Sequence, residues 1–144
     1  MFRLPAAACL FGFIALCATA EAATLSVKAE MKEVVEPASN TLFAVGGEVD
    51  PANGADAAKV PDARWQEAGK AADQLAQVAA ALTAPDRAKP GPEWTGYAQQ
   101  LRGLTIKAKA AAMAKDGGAL AAVANDLADN CSACHAKFKP QSGD

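Results

Sequence analysis

"DARWQEAGKAADQLAQVAAALT", residues 62–83, carries Trp65, Ala68, Ala72, Leu75, Ala79 and Leu82 at intervals of three and four. That interval sets all six on one face of an α-helix; a strand would need alternation. Pro61 precedes the stretch and Asp62 is expected to cap it. Its remaining residues are mostly alanine, the strongest helix former and small enough to let helices approach closely. The bias runs through the chain. Of 144 residues 51% are hydrophobic, yet aromatics are only 6% and runs of Val, Ile and Thr are missing. The composition predicts an all-α protein.

Three further segments repeat the pattern. From about Thr24 to Val45, Val27, Met31, Val34, Ala38, Leu42 and Val45 form one face, with Thr24 as the expected cap and Gly46-Gly47 as the expected stop. Pro37 lacks an N–H and its ring clashes one turn back, so a kink or two shorter helices is expected there. A third helix is expected from Pro92, a good first-turn residue, with Trp94, Tyr97, Leu101, Leu104, Ala108 and Ala111 inward. The fourth follows Asp116-Gly117-Gly118 and turns Leu120, Val123, Leu127, Cys131, Cys134 and Phe138 to one side. Four such helices cannot each bury an apolar stripe alone. The short links at 84–92 and 114–118 make neighbours antiparallel, which predicts an up-down-up-down four-helix bundle.

Residues 1–22 read differently. Arg3, an apolar run from about Ala6 to Ala18 and the small-residue sites Ala18-Thr19-Ala20 and Ala20-Glu21-Ala22 have the form of a cleaved secretory leader. The run is shorter than the roughly 20 residues a membrane-spanning helix needs. The expected mature domain, 23–144, is therefore exported, periplasmic and without a membrane span. The formal net charge of −2, with no basic stripe, argues against nucleic-acid binding.

Cleavage would remove Cys9 and Cys17. The remaining cysteines, Cys131 and Cys134, then stand with the chain's one histidine in "CSACH", residues 131–135. On a helix the thiols lie one turn apart and His135 lies four residues after Cys131, all toward one side. C-x-x-C-H is the attachment signature of c-type haem: each thiol forms a thioether with a haem vinyl group, and the histidine ligates the iron. The alternatives fit less well. A redox thiol pair usually sits at a helix N-terminus, a zinc site needs four ligands, and a disulfide across two residues would staple almost nothing.

An exported bundle of four helices with C-x-x-C-H near its C-terminus resembles the cytochrome c-prime family. The resemblance covers roughly residues 24–140 and includes "CSACHAKFK", in which Phe138 and Lys139 follow the histidine by three and four. It implies one covalent haem c, with Cys131 and Cys134 as anchors and His135 as the proximal iron ligand. The family has five-coordinate members, in which a first-helix side chain covers the iron, and members in which a methionine there is the sixth ligand. Redox partner proteins and homodimerisation through the first two helices are also implied.

The sixth position could fall to Met31, Met113, a lysine such as Lys28 or Lys32, or nothing. In an up-down-up-down bundle Met31 and His135 lie at similar heights, whereas Met113 sits by the tight third turn, roughly 20 Å away at ~1.5 Å per residue. Met31 is thus the expected distal ligand, though a methionine on an apolar stripe often only fills space. The expected haem pocket comprises Val27, Met31, Val78, Leu82, Trp94, Tyr97, Leu101 and Phe138. Lys28, Lys32, Arg102 and Lys139 are nearby cations, and Glu30 and Glu33 are expected to face solvent. With Met31 on the iron the function is one-electron transfer; with an open iron it is binding of nitric oxide or carbon monoxide. No second histidine serves as an acid–base group, so no enzymatic activity is expected.

Overall fold

The computed structural model describes residues 25–139. The leader reading of 1–22 and the expected Thr24 cap lie outside the described residues. Within them the protein is all-helical: α1 (Val27–Glu30), a π-helical turn (Met31–Val35), α2 (Glu36–Val49), 3-10 turns at Pro51–Asn53 and Ala57–Lys59, α3 (Asp62–Ala81), α4 (Pro92–Ala114) and α5 (Gly117–Phe138). α2 packs on α3 and α5, and α4 packs on α3 and α5, giving a helical bundle; the π turn packs on α3.

Local chemistry sets the ends. Ser26 opens α1 by accepting from the Ala29 N–H at 3.2 Å. Asp116 does the same for α5 through the Ala119 N–H at 2.9 Å. Pro61, not Asp62, takes the cap position of α3: proline's fixed φ suits the helix entrance, and Asp62 already lies in the first turn. Lys115 ends α4 at a positive φ of 53°.

The break expected at Pro37 lies just before it. The Glu36 N–H donates to the Met31 carbonyl, five residues back. The added residue widens the turn just where an α-helical Glu33 carbonyl would meet the proline ring, and α2 then begins with Pro37 in its first turn.

Gly46-Gly47 does not stop the helix, which runs on to Val49. Gly46 is buried because α5 lies against it: a Cβ there would stand 2.9 Å from Ala124 Cβ. Gly117 is tighter still, since a Cβ would come within 2.3 Å of the Val49 carbonyl oxygen. Gly117→Ala should therefore cost about 2–3 kcal/mol by overpacking against backbone. Gly69→Ala, mid-α3 with nothing within 4 Å, should instead gain about 0.5–1 kcal/mol. Urea melts of the two variants should move in opposite directions.

Two apolar cores result. The larger joins Leu42, Val45, Trp65, Leu75, Leu104, Leu120 and Leu127 along most of the bundle's length. The smaller, Val78, Leu82, Trp94 and Ala98, is packed by Val27, Met31, Val34, Val35 and Phe138. Ion pairs span neighbouring helices: Arg64 to Glu48 (Nε to Oε2, 2.8 Å), Lys109 to Asp73 at 2.7 Å and Lys115 to Asp62 at 2.6 Å.

Candidate functional site

The smaller core reaches the last turn of α5 through Phe138, three residues after His135. Cys131, Cys134 and His135 belong to the last two turns of α5. The helix began at Gly117, so the thiols stand far from its N-terminus, where a redox pair would profit from the dipole. Both are free and half-buried, and His135 is exposed. Burial pushes both thiols above the usual cysteine range, and proximity to Cys131 raises Cys134 further.

The helical turn fans the three residues apart. Ala124 faces Gly46 of α2, and His135, three turns on, shares that azimuth. Asn130 faces α4, donating from Nδ2 to the Tyr97 carbonyl at 3.4 Å. Cys134, one turn on, shares its side. Cys131 lies between, on the line of Leu120 and Leu127. The histidine is thus turned toward the side of the first helical segment, and one thiol toward α4.

Most of the expected pocket residues meet here. Val27, Met31, Val78, Leu82, Trp94 and Phe138 share the smaller core. Phe138 stands edge-on to Trp94, with ring centroids 5.1 Å apart, and to Tyr97 at 6.3 Å. Trp94 Nε1 donates to the Leu82 carbonyl at 2.6 Å, tying the start of α4 to the end of α3. Leu101 lies a full turn beyond Tyr97 and packs into the larger core. Met113 is exposed on α4 and takes no part.

Glu30 is a correction. It does not face solvent but pairs with Arg87, and both side chains are largely buried, 13% and 11% exposed. Arg87 comes from the α3–α4 link and was not among the expected cations. Its Nε is buried without a partner, as is Asn130 Oδ1 beside Cys131. The pair anchors the residue immediately before Met31.

The residues present fit a covalently held haem. Two half-buried thiols and an imidazole issue from little more than one turn, and Phe138 just after them packs on an apolar cluster that contains the Met31 thioether. Orphaned polar atoms lie on two of the elements around it. Among the described residues no group of three or more His, Cys, Asp or Glu side chains is drawn together. Searches of protein families, curated proteins and solved structures found no match to this chain.

Proposed function

We propose that this chain is an exported mono-haem c-type cytochrome of the cytochrome c-prime type, transferring single electrons. The observation that carries the reading is the placement of C-x-x-C-H at the end of α5, its two cysteines half-buried, three residues before the Phe138 that packs on the same apolar cluster as Met31. Haem would supply the ferric/ferrous couple. Cys131 and Cys134 would hold it covalently, each thiol adding S and H across one vinyl group without an oxidant. His135 and Met31 would be the side chains that ligate its iron. Trp94, Leu82 and Phe138 exclude water and so favour the less charged, reduced state.

Three links support the up-down-up-down arrangement on which Met31's height depends. Gly117 meets Val49. Trp94 meets Leu82. Lys137, near the end of α5, meets Glu93, near the start of α4. Export rests on the leader-like residues 1–22; within the described residues no helix is long and apolar enough to cross a membrane. Partners would be redox proteins outside the cytoplasm.

One observation favours a second reading, capture of a diatomic gas. Met31 opens the π turn, a geometry that recurs at functional sites. A methionine carried on an already widened turn can leave the iron with little further rearrangement.

Optical spectra of the haem-loaded chain and its Met31→Ala variant test the assignment. The far-red charge-transfer band of methionine-bound ferric iron is expected in the parent and absent from the variant. The midpoint potential should fall by on the order of 100 mV, within the roughly 0.8 V that axial ligands command. A high-spin spectrum indifferent to the substitution would sink the Met31 assignment and leave gas binding.

A further inference from the structure

We infer, resting on the haem reading proposed above, that Arg87 of the α3–α4 link binds a haem propionate through its unpartnered Nε. Haem carries its vinyl groups and its propionates on opposite halves of the ring. A haem tied to Cys131 and Cys134 through its vinyl carbons therefore turns its carboxylates away from α5. α2 and α4 each pack on both α3 and α5, so α3 and α5 hold opposite corners of the bundle. The corner away from α5 belongs to α3 and the link that follows it. The level along the bundle agrees. Leu82, at the end of α3, shares a cluster with Met31, and Arg87 reaches Glu30, the residue just before Met31.

The guanidinium is set for a second carboxylate. Of residues 85–90 Arg87 alone is not exposed. The link is fixed by the Ala84 carbonyl, which accepts from the N–H groups of Arg87 and Ala88 at 3.0 and 2.9 Å. Glu30 accepts from Nη2 and leaves Nε buried without a partner. A buried donor with no acceptor is costly, and the arginine fork matches carboxylate geometry. A propionate oxygen at Nε removes that cost. The cations expected from the sequence are poorer candidates. Lys28, Lys32, Arg102 and Lys139 are all exposed, where solvent screens an ion pair.

The arrangement has an electronic consequence. One guanidinium stands between two carboxylates, held by Glu30 on one side and meeting the propionate on the other. Its charge offsets the propionate's near the iron, and a cation there favours the less positive, ferrous state. Arg87 thus raises the reduction potential.

Resonance Raman spectra of the haem-loaded full chain report hydrogen bonding to the propionates through their low-frequency bending band. Arg87→Leu should shift that band and lower the midpoint potential. It also strips Glu30 of its partner, so the Glu30→Leu/Arg87→Leu double variant separates the two effects. With no unpaired charge left buried, the double variant should still show the shifted propionate band. Arg87→Lys, a milder change that keeps the charge but not the fork, should shift it the same way by less, and serves if the double variant folds poorly. Lys89→Ala, exposed in the same link, should change nothing. A haem-loaded chain whose propionate band ignores every Arg87 change, or follows Lys28→Ala or Lys32→Ala instead, overturns the inference and leaves the haem reading standing. A parent that carries no haem overturns both.

Discussion

Chains in which Cys131 and Cys134 are both alanine should contain no covalently bound haem. After export in a host that matures c-type cytochromes, the parent should keep its haem colour through denaturing electrophoresis and acid–organic extraction. The double variant should lose all of it, and each single variant should keep one linkage at reduced yield. Gross misfolding would not account for the loss. The thiols are only half-buried and belong to neither apolar core, and alanine is the better helix former at both positions. The larger core is untouched, so helical content should survive. A haem-free parent whose two thiols both titrate would end the haem reading and return the pair to ordinary thiol chemistry.

Much of this architecture is legible in the sequence because its signals are local. Spacings of three and four around Leu75, Leu104 and Leu120 mark buried faces, and the structure buries all three. C-x-x-C-H is likewise a five-residue signal. What the sequence hides depends on partners distant along the chain. Gly46-Gly47 has the look of a helix stop, but Gly46 is small because Ala124 packs on it. Leu101 obeys the same spacing as Tyr97, and only packing assigns it to the other core. Pro37 announces a disturbance, but whether the helix kinks or takes in an extra residue is settled by how the first segment must lie on α3. Arg87 is the extreme case. In "APDRAKPGP" it resembles any solvated loop cation, and its partner lies 57 residues away.

The Arg87–Glu30 pair should behave as a buried pair, with effects beyond stability. Arg87→Leu leaves the Glu30 carboxylate buried and unpaired, and Glu30→Leu leaves a guanidinium whose Nε already has no partner. Each single change should cost about 3–5 kcal/mol, because an uncompensated charge stays out of water. The double variant should recover most of the loss, since two apolar groups of similar volume replace the pair. α1 is a single turn held by the Ser26 cap and by this contact. A single variant should loosen it and the Met31 that follows, so the far-red band should weaken in either single variant and return in the double. Urea melts of the four chains measure the coupling, and their ferric spectra report Met31. A coupling below about 0.5 kcal/mol would reduce the contact to a solvent-screened surface pair. Strong coupling with an unchanged band would make it a structural clamp that leaves Met31 alone. The link from Arg87 to the iron thus stands or falls on the spectra and not on the melts.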